Sequence, residues 1–283
     1  MKVSFLGLGR MGRELVQHVI RGGHDVTVWN RTTSATEGAA AAGARVAGSP
    51  AEAVAGAELV VTMFFGPNVV REVLIDPGLE FAPGALWVDA TTVSPDDARD
   101  FAEWAAGRGL RFVAAPVVGT VGPAHDGTLG TLLGGQADDV AAARAVTDLW
   151  SDREKVREFP TPAAALTAKL IANLGVAVVA EGIAEALRLG HAGGLSTGEV
   201  LEILPLTQLA TQANAKRAIL GGKAWSEKVQ FAVDALAKDT GFMTALAGAG
   251  RLPSVEALAA ALAAASEDGL GGADYIAALR GDL

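Results

Sequence analysis

The chain has 283 residues, 50% of them hydrophobic and 19% charged, with a formal net charge of −9. So large an apolar fraction supports a sizeable core and excludes wholesale disorder, while the acidic balance speaks against nucleic-acid binding, which needs Lys and Arg to displace counterions. With no cysteine present, disulfides, thiolate metal sites and cysteine nucleophiles are excluded.

At roughly 100–200 residues per domain the length predicts two domains. The four histidines, His18, His24, His125 and His191, show no metal-ligand spacing on one helix face, so no metal site is expected. Mean hydropathy is +0.32. The longest apolar run, 170–180, lies between Lys169 and Glu181 and is broken by Asn173 and Gly175. A membrane span needs about 20 residues, so this run predicts a buried helix. Glycines and Arg10 cut the apolar N-terminal stretch short of a signal peptide, and the expected location is the cytoplasm.

From residue 1 to about 160, strands are predicted at 2–6, 25–29, 59–62, 86–89, 111–115, 129–133 and 155–159. Helical periodicity lies between most of them, as at 11–21 and 95–106. This alternation predicts βαβ units and a mostly parallel sheet. After Pro160-Thr161-Pro162 no strand is predicted. Helical runs cover 163–190, 196–204, 206–220, 227–248, 253–267 and 272–281, with Ser196 and Ser254 as N-caps and Gly193-Gly194 and Gly221-Gly222 as stops. The division falls at 1–162 and 163–283, and the first long helix is expected to join the two parts.

Gly7-Leu8-Gly9-Arg10-Met11-Gly12 is a G-x-G-x-x-G. Alone the motif is weak among 35 glycines; between a predicted strand and a predicted helix it is specific. Gly7 permits a tight turn, Gly9 lets backbone approach a pyrophosphate, and Gly12 lets helix and strand pack closely. The helix start offers free N–H groups and a positive dipole end. These features predict a doubly wound Rossmann domain followed by an all-α domain. An Asp or Glu at the end of the second strand would bond the ribose of NAD. The sequence has Asn30-Arg31-Thr32 there instead. Arg31 suits a 2′-phosphate and Asn30 and Thr32 can donate to it, which points to NADP(H).

Lys169 and Asn173 are four apart, on one face of the first long helix. The helix is apolar almost all round, as a buried element is. Burial disfavours the charged form of a lysine, which equips it to protonate a carbonyl oxygen. A helical lysine is most often exposed, so spacing alone leaves the catalytic and surface readings open.

The chain resembles the β-hydroxyacid dehydrogenases, the group of 3-hydroxyisobutyrate dehydrogenase and glyoxylate/succinic semialdehyde reductase. The resemblance spans essentially the whole chain. Besides the glycine loop and Val28 to Thr32, it rests on Asp89-Ala90-Thr91-Thr92-Val93-Ser94-Pro95, on 115–120, on Gly127-Thr128-Leu129, on 169–173 and on Phe231 to Lys238-Asp239. The resemblance implies that Lys169 is the catalytic acid or base and Asn173 its substrate-orienting partner. It places Met63 and Thr92 near the nicotinamide, with Phe64 also expected to bind the cofactor, and makes Lys238 close over the cofactor. Val118, Gly119 and Thr120 would form the substrate loop, with Trp225 and Phe231 lining the site or packing in the core.

Val118 departs from the family, which usually has a serine there to hold a substrate carboxylate. Ala114 and Ala165 also stand where Asp and Gly are frequent. The reading implied is reduction of a small aldehyde or keto acid, or oxidation of the matching hydroxy acid. An imine reductase is the alternative, disfavoured by Lys169 and mildly favoured by Val118. A non-catalytic NADPH-binding scaffold is the second. Trp87, Trp104 and Trp150 are expected to pack, and His125 to be a solvated loop residue. The apolar stretch 255–265 exceeds what one small domain needs and predicts a homodimer.

Overall fold

The computed structural model describes residues 1–222 and 229–280. The chain divides into two units, Met1–Lys169 and Leu170–Leu283.

Unit 1 is a nine-stranded sheet with helices on both faces. Its strands are β1 (Lys2–Leu6), β2 (Asp25–Trp29), β3 (Arg45–Val46), β4 (Leu59–Thr62), β5 (Leu86–Asp89), β6 (Arg111–Ala114), β7 (Val117–Val118), β8 (Leu129–Gly135) and β9 (Ser151–Phe159). The order is β3-β2-β1-β4-β5-β6-β8-β7, with β9 also on β8. The first six strands are parallel; β8 runs antiparallel to β6 and β7, and β9 parallel to β8. The chain order reverses between β1 and β4, the switch point where open α/β sheets bind ligands.

The central strands are buried and mostly apolar because both of their faces are covered, with Thr62 and Asp89 as polar residues at the ends of β4 and β5. Leu59, Val61, Leu86 and Val88 enter one core, and Val60 and Trp87 the other. Trp87 and Trp150 are fully buried, as expected, and Trp104 packs edge-on against Trp87. The strands expected at 2–6, 25–29, 59–62 and 86–89 form as read. The two-residue strands β3 and β7 were not foreseen, since a dipeptide has no period to detect; each exists because its neighbour offers a free edge.

The helices of unit 1 are α1 (Gly12–Arg21), α2 (Glu37–Ala41), α3 (Pro50–Val54), α4 (Pro67–Val70), α5 (Pro95–Ala106), α6 (Val121–Asp126) and α7 (Ala137–Thr147). His125 is exposed, as expected, but sits on α6 and pairs with Glu14 at 3.1 Å. Next comes α8 (Pro162–Ala192), a single helix that starts in unit 1 and continues through unit 2. The boundary expected at 162/163 falls instead at Lys169/Leu170. Ala165 packs on Gly134, and Leu166 is buried in the core that holds Trp87 and Phe101. The prolines mark where the helix starts; the packing changes about two turns later.

Unit 2 continues with α9 (Thr197–Ile203), α10 (Ala210–Leu220), α11 (Val233–Ala247) and α12 (Pro253–Ala265). Ser196 caps α9 in a reciprocal capping box with Glu199. Ser254 caps nothing: the N-cap of α12 is Leu252, and Pro253 takes the first helical position, where its missing N–H is no loss. By length and hydropathy α8 is the one membrane-length helix among the described residues. Its Ala177, Ala180, Ile183, Ala184 and Leu187 lie in the core of unit 2. Val255, Leu258 and Leu262 are also buried in that core. Ala257, Ala260, Ala263 and Ala264 on the same helix stay exposed.

A buried ion pair joins α10 to the turn before the C-terminal 3₁₀ segment. Lys216 Nζ lies 2.7 Å from Asp274 and 4.9 Å from the Tyr275 ring centre. Asp274 also accepts from the backbone of Gln230 and Phe231, which pins the entry to α11.

Candidate active site

The glycine loop lies at the carboxyl end of β1, at the switch point. Gly7 has φ +96°, and a side chain there would meet the Met63 carbonyl and the Phe64 ring. Only a glycine fits so close to the end of β4. A methyl on Gly12 would collide with the Gly7 carbonyl oxygen, so the turn and the first turn of α1 touch through bare backbone. Gly9 is different. It is exposed, and no atom lies within 4 Å of where its side chain would be. That empty cradle at a helix start fits a pyrophosphate.

The other loop residues divide. Arg10 is exposed. Leu8 and Met11 pack into the core, Leu8 fully, so their side chains serve the fold. The Leu8 N–H donates to Asn30 Oδ1 at 2.9 Å, and Asn30 Nδ2 donates to the Thr32 carbonyl at 2.9 Å. Asn30 is thus a strap between the glycine loop and the end of β2. This task, beside the phosphate contact expected from sequence, depends on a contact 22 residues away. Arg31 is 76% exposed at the side chain and 3.9 Å from Glu72, also exposed. Such a pair contributes at most about 1 kcal/mol and leaves Arg31 easily drawn to a phosphate. No carboxylate ends β2.

At the ends of β4 and β5, Met63, Phe64 and Thr92 are half-buried. The Phe64 N–H donates to Thr91 Oγ1 at 3.0 Å. Asp89, the last residue of β5, is 2% exposed and accepts from Thr62 Oγ1 at 2.7 Å and the Thr91 N–H at 3.1 Å. Burial pushes its carboxyl up to about 6, against the pull of the threonine hydrogen bonds.

In the expected substrate loop, Val118 is half-buried and pairs with Gly130 across β7 and β8. Gly119 has φ +139°, and Thr120 is the N-cap of α6 without a side-chain capping bond.

Lys169 is 7% and Asn173 5% exposed, one turn apart on α8. The surface reading of Lys169 is thereby removed. Within unit 2, Asn173 Nδ2 donates to Asp239 Oδ2 at 2.6 Å, and Lys238 Nζ lies 2.6 Å from the other carboxylate oxygen. Lys238 also sits 4.8 Å from the Phe242 ring centre. Asp239, 3% exposed, therefore fixes two expected site residues at once. Phe231 packs edge-on against Tyr275, so unit 2 uses it as a packing residue. Trp225 lies outside the described residues.

A family model described as the NAD binding domain of 6-phosphogluconate dehydrogenase matches residues 2–156. The 3-hydroxyisobutyrate dehydrogenase of Pseudomonas aeruginosa is 35% identical over 205 residues, 71% of this chain and 68% of that protein. The chain belongs to the β-hydroxyacid dehydrogenase family. A second relative of this family member is the NAD-dependent L-serine dehydrogenase of the same organism, 34% identical over 206 residues, 72% of this chain and 68% of that protein. Among solved structures, a Mycobacterium tuberculosis 3-hydroxyisobutyrate dehydrogenase with L-serine aligns at a TM-score of 0.82 and 28% identity, covering 99% of this chain and 98% of that one. This β-hydroxyacid dehydrogenase family member is accordingly an oxidoreductase with an NAD(P)-binding Rossmann domain.

Asp89 and Asp239 fall within the family's sequence blocks, yet the sequence alone gives neither a role. A signal was present for Asp89: a carboxylate closing the apolar strand Leu86-Trp87-Val88 must be buried, and buried carboxylates need donors. For Asp239 the signal is weak, because its partner Asn173 is 66 residues away.

Proposed function

We propose that this protein is an NADPH-dependent reductase of a small aldehyde or keto acid, running in reverse as a hydroxy-acid dehydrogenase, with Lys169 as general acid and base. The observation that carries the reading is a lysine side chain only 7% exposed, one helical turn from an asparagine whose amide is anchored on a buried carboxylate. Lysines are seldom so buried without a partner or a task.

Gly9 to Gly12 would hold the pyrophosphate, Arg31 and Thr32 the 2′-phosphate, and Met63, Phe64 and Thr92 the nicotinamide end. When bound, the dinucleotide supplies the hydride that the carbonyl carbon accepts. Lys169 holds a proton at the carbonyl oxygen and releases it as the alcohol forms. In the oxidative direction its neutral amine takes the hydroxyl proton. Asn173, anchored on Asp239, orients the substrate. Preference for NADPH is supported by Arg31 and by the missing acid at the end of β2, although one relative is named NAD-dependent. The Val118 side chain offers a carboxylate no hydrogen bond, which leaves substrates without one in range.

The test is oxidation of NADPH and of NADH with glyoxylate, succinic semialdehyde and a cyclic imine, on the wild type and on Lys169→Ala. Turnover of an aldehyde or keto acid with NADPH, lost by at least about a hundredfold in Lys169→Ala, is the expected result. Unchanged turnover in the variant overturns the role of Lys169. Turnover of the imine alone makes the protein an imine reductase.

A further inference from the structure

Asp89 is an expensive residue to place where it is. Transfer of a carboxylate from water into a protein interior is unfavourable unless donors surround it. Here its Oδ1 accepts from the Thr62 hydroxyl and the Thr91 N–H. Each donor leads on to another group. Thr62, directly opposite Asp89 in the β4–β5 register, accepts from Trp87 Nε1 at 2.8 Å. Thr91 accepts the Phe64 N–H at 3.0 Å. One side chain thereby links the carboxyl ends of two neighbouring strands and both loops that leave them. Those loops carry Met63, Phe64 and Thr92. Without this shared acceptor the Thr62 hydroxyl and the Thr91 N–H would be buried and unsatisfied.

We infer that Asp89 is the positioning residue for the nicotinamide half of the dinucleotide site, setting the backbone of Met63–Phe64 and Thr91–Thr92 through Thr62 and Thr91. The inference rests on the NAD(P)H reading above and adds to it a division of labour. The glycine loop and Arg31 hold one half of the cofactor, and the Asp89 hub shapes the place of the other.

The experiment measures dissociation constants for NADPH and for adenosine 2′,5′-bisphosphate, which carries the adenine half alone, on the wild type, Asp89→Asn, Asp89→Ala and Thr91→Val. Asp89→Asn keeps an oxygen acceptor at Oδ1 and is expected to bind NADPH within about threefold of the wild type. Asp89→Ala leaves two buried donors without an acceptor and is expected to weaken NADPH by about tenfold or more. Its affinity for the bisphosphate is expected to stay within about twofold. Thr91→Val removes the acceptor of the Phe64 N–H while leaving the buried carboxyl in place. It is expected to show the same selective loss, and it decides the matter where Asp89→Ala does not fold. Equal weakening of both ligands, or of neither, overturns the positioning role. A wild type that binds neither NADPH nor NADH overturns the cofactor reading itself, a distinct result.

Discussion

Gly9→Ala and Gly12→Ala separate folding from cofactor binding within a single loop. At Gly12 the added methyl runs into the Gly7 carbonyl oxygen and comes within 3.1 Å of its carbon and 3.3 Å of Phe5 Cε1. That carbonyl is part of the turn and cannot swing aside without opening it. Overpacking of this kind costs about 1–3 kcal/mol, and the upper end is expected because backbone must move. At about 3 kcal/mol the melting temperature of a domain this size falls by roughly 6–12 °C.

At Gly9 nothing lies within 4 Å of the methyl, and the backbone is outside the left-handed region. The folded state accepts it, with up to about 1 kcal/mol gained by restricting the unfolded chain. The cost appears on the ligand, since the methyl enters the space a pyrophosphate approaches. An overlap of about 1–3 kcal/mol raises the dissociation constant for NADPH by about five- to more than hundredfold. Thermal unfolding of the free protein and fluorescence titration with NADPH read the two effects separately. Gly12→Ala should lose stability, and Gly9→Ala should keep it while losing the ligand. A Gly9→Ala protein that binds NADPH as the wild type does would refute the placement of the pyrophosphate.

Three further outcomes are expected. Arg31→Ala should weaken NADPH by about ten- to hundredfold, the range of a charge-assisted bond to phosphate, and leave NADH unchanged; equal effects on both in titration would remove Arg31 from the 2′-phosphate. Asp239→Ala deprives the Asn173 amide and the Lys238 ammonium of a shared acceptor, and urea unfolding should show a loss of about 1–3 kcal/mol, together with lower kcat/KM. Asp89 sets a pH dependence whose sign follows from its raised carboxyl, moved from 3.8 to about 6. The folded state holds that proton more tightly, so the stabilisation is full below 3.8 and is lost as pH rises through about 6. Two pH units amount to about 3 kcal/mol, so Asp89→Asn should gain on the wild type by about that much between roughly pH 4 and pH 7 in urea titrations. A constant difference across that range would contradict a titrating Asp89.

Much of this protein is decided by short-range pattern. The strands at 2–6, 25–29, 59–62 and 86–89, the glycine loop, the capping box at Ser196 and the helices around Lys169 and Asn173 all follow from neighbours a few residues apart. Periodicity and turn chemistry act at that range. The family resemblance, and with it the oxidoreductase assignment, rests on the same local blocks. Tertiary structure alone decided the rest. The strands β3 and β7 exist only because a neighbouring edge was available to pair. The boundary lies within α8 because Leu166 found a pocket among residues from distant strands. Asn30 became a strap, and Asp89 and Asp239 became hubs, through hydrogen bonds that span 22 to 66 residues of sequence. A buried polar side chain announces in the sequence that it needs a partner, but which partner it has is settled only when the chain closes on itself.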